Sequence, residues 1–102
     1  MPRRSDWYLF SIHGLVFLAL ARHADLTVEQ IAHSIGRSRW TVIRALRDLQ
    51  DAGYVAVARK ATRNVYTLNP DADFFNPLLA DKKIGLLMDL VREEHSGLFR
   101  PD

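Results

Sequence analysis

The stretch that decides the fold is TVEQIAHSIGRSRWTVIRALRDLQDAG, residues 27–53. Thr27 and Gln30 have the spacing of a capping box, in which each side chain bonds the backbone N–H of the other residue. A helix is therefore predicted to begin just after Thr27 and to bury the apolar side chains that follow. Gly36 is predicted to end this helix, because a glycine easily adopts the left-handed conformation found at many helix C-termini.

The second half of this stretch predicts a longer helix with one apolar and one basic side. Ser38 is its N-cap candidate, and the helix is predicted over about residues 39–52, with Gly53 as its stop. Its inward stripe has helical spacing and consists of Val42, Leu46, Leu49 and Ala52. Its outer side carries Arg39, Trp40, Ile43, Arg44 and Arg47. Two helices joined by a turn of about three residues form a helix-turn-helix pattern.

Two short runs with strand character follow the helix-turn-helix. Residues 54–58 and 65–68 are rich in β-branched and aromatic side chains, and the polar stretch 59–64 separates them. This pattern predicts a β-hairpin whose tip is basic. The order of elements predicts an α+β fold that is mainly α. It is a winged helix-turn-helix with a three-helix core, a β-hairpin wing and an additional C-terminal helix.

The flanking helices are more apolar than a single small domain can cover. The first is predicted over residues 7–22, and the last covers about residues 77–94. Because a broad apolar arc must be covered on several sides, we expect a homodimer joined through helix 1 and the C-terminal helix. Residues 1–6 are expected to form a flexible arm and residues 96–102 a flexible tail, with one folded domain between them.

Positive charge is concentrated in one part of the chain. Residues 37–63 contain seven basic and two acidic residues, a net charge of +5, whereas the chain as a whole carries +2, which leaves −3 for the rest. Such asymmetry is typical of a surface that binds a polyanion. A solvated basic surface without a ligand explains the charge alone equally well.

The basic side of the helix predicted over residues 39–52 suits the major groove of double-stranded DNA, which is wide enough to admit a helix. Arg44 lies mid-helix, where its guanidinium could bond guanine O6 and N7, and Arg47 is expected to contact phosphate. Ser38 and Thr41, near the helix start, suit phosphate oxygens. Ile43 could offer only apolar contact, for example to a thymine methyl.

The remaining candidate contacts are Trp40 and the cations of the wing. Trp40 is large for a groove-facing position, and the favoured interpretation is that it packs against the wing or against the short helix between Thr27 and Gly36. Arg59, Lys60 and Arg63 are candidates for DNA contact, with Arg63 entering the adjacent minor groove or clamping phosphate. A merely solvated loop is the alternative interpretation of the wing.

Nothing in the sequence indicates an enzyme, a metal site or a cofactor. The chain has no cysteine, which excludes disulfides, thiolate zinc ligands and a cysteine nucleophile. The histidines lie in no metal motif, and His13 is expected to be a core or interface residue satisfied by hydrogen bonding. The longest apolar run, residues 9–21, is too short for a membrane span and predicts a buried helix. We therefore expect a cytoplasmic protein.

Six short motifs spread over residues 8–91 carry a family resemblance. They are His13-Gly14-Leu15-Val16, Ile31-Ala32, Asp48-Leu49-Gln50-Asp51-Ala52-Gly53-Tyr54, Arg63-Asn64-Val65-Tyr66, Asn69-Pro70-Asp71 and Pro77-Leu78. The set resembles a small single-domain subfamily of the bacterial and archaeal winged helix-turn-helix regulators of the broad MarR/ArsR-like group. The resemblance implies a sequence-specific transcriptional regulator, usually a homodimer, with arginine at positions 44 and 63.

The sequence departs from that family pattern at two positions of the second helix. Ile43 stands where a polar residue is usual, and Trp40 is bulkier than expected, so the departures bear on base preference rather than on the fold. Metal sensing of the ArsR type does not fit, because the cysteine ligands are missing.

A winged helix used as a protein-interaction module is the alternative function, because a fold does not fix what it binds. In that class the outer side of the second helix should be acidic or neutral. Here it is basic, which favours binding to DNA.

Overall fold

The computed structural model describes residues 9–92. Three helices are followed by a two-stranded antiparallel hairpin, a single 3-10 turn and a short last helix, which confirms the winged helix fold class. The elements are α1 (Ile12–Arg22), α2 (Val28–Ile35), α3 (Arg39–Asp51), β1 (Val55–Lys60), β2 (Arg63–Leu68), η1 (Pro77–Leu79) and α4 (Gly85–Leu90). The predicted arm, residues 1–6, and the predicted tail, residues 96–102, lie outside the described residues.

The ends of α2 are set by the residues that the sequence predicts. The Gln30 backbone N–H donates to Thr27 Oγ1 at 3.1 Å, and the Thr27 backbone N–H donates to Gln30 Oε1 at 2.9 Å, which completes the capping box. Gly36 ends the helix with φ +70°, a left-handed conformation that costs glycine little. Both predicted ends of α2 are therefore confirmed.

The recognition-helix candidate, α3, begins as predicted. The Ser38 hydroxyl accepts the Thr41 backbone N–H at 3.1 Å, and Gly53 follows the helix with φ +84°. The inward stripe of α3 is buried and includes Ala45 in addition to the predicted Val42, Leu46 and Leu49, whereas the predicted Ala52 is the half-buried C-cap that follows Asp51. These side chains meet α1, α2 and β1, so the helix-turn-helix and the hairpin share one core.

The hairpin differs from the prediction at its tip. Lys60 pairs with Arg63, and Arg59 pairs with Asn64, so these cations lie on the strands. The turn needs only two residues, because Ala61 adopts a left-handed φ of +55° that reverses the chain tightly. The six-residue loop predicted over residues 59–64 is therefore wrong, and the cations are held on a paired β-ribbon.

Helix α1 begins later than predicted. Ser11 is its N-cap and accepts the Gly14 backbone N–H at 3.2 Å, so Leu9 and Phe10 precede the helix rather than belonging to it. The start predicted at residue 7 lies outside the described part of the chain. Much of the apolar excess of α1 is covered within the chain, where Val16, Phe17 and Leu20 are buried.

The long C-terminal helix predicted over about residues 77–94 is wrong as a continuous helix. Its first residues form only the turn η1, and helical structure resumes at Gly85. The Ile84 backbone N–H donates to the Ala72 carbonyl at 2.8 Å, and that of Gly85 donates to the Pro70 carbonyl at 3.0 Å. These two N–H groups therefore bond carbonyls of residues 70 and 72 instead of carbonyls of a preceding helical turn. Residues 93 and 94 of the predicted helix lie outside the described range. Within residues 9–92, no helix is long and apolar enough to span a bilayer.

Candidate nucleic-acid interface

The outer side of α3 presents an aromatic ring and two arginines to solvent. Trp40, Arg44 and Arg47 are exposed and lie opposite the buried stripe. Among residues 9–92, neither Arg44 nor Arg47 has a hydrogen-bond or ion-pair partner. A guanidinium without an internal partner keeps all five N–H donors for a ligand. The side of α3 that faces away from the core can therefore accept an anionic surface.

The environment of Trp40 differs from the favoured prediction. The side chain is 64% exposed, so the indole is not buried against α2 or the wing as that prediction expected. Trp40 lies in the first turn of α3, one residue after Arg39. An exposed indole of this size offers a large apolar surface and one N–H donor to whatever contacts the start of α3.

A groove of about 450 Å³ separates α3 from the hairpin. Arg39, Ile43 and Arg47 line it from the helix, at intervals of four residues, and Val57 and Asn64 line it from the strands. Ile43 is half-buried here, so it faces the base of the wing. The groove brings basic side chains of the helix and polar groups of the wing to one side of the molecule.

The start of α3 is occupied by its own cap. Ser38 Oγ accepts the Thr41 backbone N–H, and the two hydroxyl groups lie 3.0 Å apart. Each hydroxyl oxygen has two acceptor sites and one proton, so the pair retains some capacity for another group. Their first role in this structure is to fix where α3 begins.

The cations of the wing have unequal surroundings. Arg59 and Lys60 are exposed on β1, and neither has a partner in the described part of the chain. Arg63 donates from Nη2 to the backbone carbonyl of Asp25 at 2.7 Å. This bond ties the wing to the loop between α1 and α2 and holds the Arg63 guanidinium close to the start of α2.

Arg39 forms an ion pair that the sequence does not reveal. Its Nε lies 3.0 Å from Glu29 Oε2, and both side chains are well exposed, at 61% and 65%. Local spacing gives no sign of this pair, because the two residues lie on different helices and ten positions apart. Of the predicted contacts, Arg39 is therefore the one that meets a carboxylate of the same chain.

The histidines within residues 9–92 form no second site. His13 Nε2 lies 2.8 Å from Asp48 Oδ2, and this bond connects α1 to α3. The predicted hydrogen bonding of His13 is confirmed, but the residue is exposed rather than in the core. Among residues 9–92, no group of three metal-binding side chains lies close enough to hold an ion.

Comparison with known proteins identifies a family for this chain. A family model described as "Sugar-specific transcriptional regulator TrmB" matches residues 14–71, which is more than half of the 102 residues. No curated protein and no solved structure matches the chain. The MarR/ArsR-like affiliation stays a prediction, since the matching model is a different one. The chain belongs to the TrmB family of transcriptional regulators, whose DNA-binding domain is a winged helix.

Proposed function

We propose that the protein is a sequence-specific regulator that binds double-stranded DNA with α3 in the major groove and the hairpin on the minor groove or backbone. The observation that carries this proposal is the exposed, unpaired pair Arg44 and Arg47 on the side of α3 opposite its buried stripe, within residues 9–92. We also propose that the protein is cytoplasmic.

The two arginines are assigned different tasks. Arg44 lies in the middle of α3, at the depth where a guanidinium bonds guanine O6 and N7 together. Arg47 lies one turn further along, beside the groove to the wing, and is assigned to phosphate. Trp40 is exposed at the start of the helix, so it replaces Ile43 as the main apolar contact for a thymine methyl or sugar.

Arg59 and Lys60 on β1 are assigned to the DNA backbone beside the major groove. Their exposure supports this assignment, and the pairing of Arg59 with Asn64 and of Lys60 with Arg63 holds their backbone in a regular ribbon. Arg63 contributes from the opposite strand, and the single bond to the Asp25 carbonyl leaves most of its donors available.

Selection of bound sequences from a random duplex pool supplies the cognate site and tests the proposal. On that site, Arg44→Ala is expected to cost about 1–3 kcal/mol and to relax preference at one base pair. Arg47→Ala, the matched control on the same helix, is expected to weaken all sequences alike and to reduce the salt slope by about 0.9. Equal losses for Arg44→Ala on cognate and random DNA would show that Arg44 does not read bases.

A protein-interaction module is the second candidate function. The observation that favours it is the exposed apolar surface after the wing, where Phe75, Leu78 and Leu90 are each more than 60% accessible. Binding of random duplex DNA separates the two functions. A steep fall of log affinity with log salt is expected for DNA binding, and no binding at low salt would favour the protein module.

We also propose a homodimer, in which α1 and the C-terminal helix α4 of one protomer meet those of its partner. Leu86 and Leu90 form an exposed apolar pair one turn apart on α4. Nearby, Leu15 and Leu18 of α1 line an apolar groove of about 380 Å³ that ends at Val91. A symmetric dimer of this kind would set two copies of α3 about 34 Å apart, one turn of DNA, so the operator should be a near-palindrome.

Light scattering at micromolar concentration tests the dimer. The wild-type protein is expected to have twice the mass of the chain, and Leu86→Ser combined with Leu90→Ser is expected to give a monomer. Leu78→Ser, which removes a more exposed leucine from η1 rather than from α4, is the control and should leave the mass unchanged. A wild-type mass equal to that of one chain would refute the dimer.

A further inference from the structure

A second basic site lies outside the exposed side of α3. A pocket of about 300 Å³ is enclosed by the start of α2, the start of α3 and the hairpin. Arg39, Arg59 and Arg63 line it from three different elements, and Glu29 lines it with them. Three guanidinium groups around one cavity form a site for an oxyanion, because each can present a fork of N–H donors to its oxygens.

The Glu29 carboxylate is itself an oxyanion, and it already pairs with one of the three arginines. Its Oε2 lies 3.0 Å from Arg39 Nε, where a phosphate oxygen would otherwise bond. Both side chains of the pair are exposed. Because exposed ion pairs contribute only about 0.2–1 kcal/mol to stability, the carboxylate can be displaced. A phosphate group bonds several guanidinium groups at once, whereas the Glu29 bond reaches only Arg39.

Arg63 is placed so that it can stay in the pocket when an anion enters. Its Nη2 donates to the Asp25 carbonyl at 2.7 Å, which anchors the guanidinium beside the pocket with most of its donors unused. The wing is thereby held against the start of α2 before any ligand binds. Arg63 is therefore preorganised, and the contact that must break is the one between Glu29 and Arg39.

We propose that this arginine pocket binds one phosphate group of the DNA backbone, and that Glu29 is a built-in competitor that the phosphate must displace from Arg39. This inference rests on the proposed DNA-binding function and adds a regulated contact to it. Glu29 lowers affinity for every sequence equally, because the phosphate carries no base information. The ratio of affinities for cognate and random DNA therefore depends on the base contacts of Arg44 and not on Glu29.

Glu29→Gln tests the competitor directly. The amide keeps the shape of the side chain and leaves the Thr27–Gln30 capping box intact. Affinity for random duplex DNA is expected to rise by about two- to fivefold, the equivalent of one exposed ion pair. Asp81→Asn, on the loop between η1 and α4, changes the net charge equally outside the pocket and is the matched control.

Double substitution assigns the gain to Arg39. In an Arg39→Gln background, Glu29→Gln is expected to raise affinity no more than Asp81→Asn does, because the contact under competition is gone. Circular dichroism at the binding temperature checks that each variant is folded. In the protein that retains Arg39, equal gains in DNA affinity from Glu29→Gln and Asp81→Asn would show that only net charge matters. The competitor role of Glu29 would then be overturned.

Two further arms separate the ligand sources and the two proposals. Binding of inorganic phosphate in the absence of DNA, compared with chloride at equal ionic strength, is measured for the wild-type and Glu29→Gln proteins. A gain from Glu29→Gln in phosphate binding without a gain in duplex binding would overturn the DNA backbone as the ligand and assign the pocket to a free phosphate group. If the wild-type protein binds no duplex DNA at low salt, the proposed function itself fails. If it binds and Glu29→Gln brings no extra gain, only the role of Glu29 fails.

Discussion

Helix α3 and the C-terminal segment, which runs from η1 to α4, have similar apolar patterns but differ in how far those side chains are buried. In α3 the stripe is buried, with Leu46 and Leu49 almost inaccessible to solvent. In the C-terminal segment Leu78 is 88% exposed, and Leu90 is also largely exposed. The same hydrophobic spacing thus gives a buried helix in one place and an interrupted, exposed segment in the other.

The difference lies in what surrounds each segment. Helix α3 packs on α1, α2 and β1, whereas α4, among the elements of residues 9–92, packs only on α1. Most helix stability in proteins comes from burying an apolar side rather than from helix propensity. A pattern therefore reports which side of a helix is apolar, and the tertiary neighbours decide whether that side is buried.

The largest expected effect tests this comparison by removing one leucine from each region. Leu46→Ala should lower the free energy of unfolding by about 2–5 kcal/mol, because it leaves a cavity between α3 and its neighbours. Leu90→Ala, its exposed counterpart on α4, should change it by about 0.5 kcal/mol or less in the monomer. Urea denaturation measures both, and equal losses would show that α4 is buried in solution.

The next effect concerns how the C-terminal segment is attached. Of the buried side chains in the described range, Ile84 alone lies after the wing, and it packs into the common core. Ile84→Ala should cost about 2 kcal/mol, at the low end for such a truncation, since other apolar side chains of this segment that reach the core, such as Leu87 and Met88, are only partly buried. Hydrogen exchange should show faster exchange of the Ile84 and Gly85 amides while α3 stays protected. Loss of protection throughout α3 would contradict the idea of a separately attached segment.

Features set by neighbouring residues are the ones that the sequence predicts well. The Thr27–Gln30 box, the Ser38 cap and the left-handed Gly36 each depend on residues within four positions, and all are confirmed. The end of the wing is less predictable, because cross-strand pairing brought Lys60 and Arg63 into the ribbon and shortened the loop. Interruption of the last helix depends on bonds from Ile84 and Gly85 to a distant stretch of chain, which no local pattern records.

The candidate site divides in the same way. Exposure of Arg44 and Arg47 follows from the buried stripe of α3, so helical periodicity alone predicts it. The bonds of Arg39 to Glu29 and of Arg63 to the Asp25 carbonyl join different elements, and only the fold reveals them. Sequence therefore identifies the cations, and structure is needed to distinguish those that are free from those that are already engaged.

A smaller effect compares helix caps in the two regions. Ser38→Ala should lower stability by about 1 kcal/mol, because the Thr41 N–H loses its acceptor at the start of a 13-residue helix. Asn76 accepts the Leu78 N–H in the same manner but begins only the single turn η1. Asn76→Ala should therefore cost less than Ser38→Ala in thermal denaturation. A larger loss for Asn76→Ala would mean that η1 contributes more to stability than its exposure indicates.

The smallest expected effect is a gain, at the one residue of the wing whose type conflicts with its conformation. Ala61 has φ +55°, and a left-handed conformation costs a residue with a Cβ roughly 1–2 kcal/mol that glycine does not lose. Ala61→Gly removes this strain but makes the unfolded chain more flexible, so a net gain of about 0.5–1 kcal/mol is expected. Thr62→Gly is the matched control in the same turn: Thr62 is not among the left-handed residues of the described chain, so glycine there should only destabilise. Equal losses of stability for the two variants would mean that the turn does not need a left-handed residue at position 61.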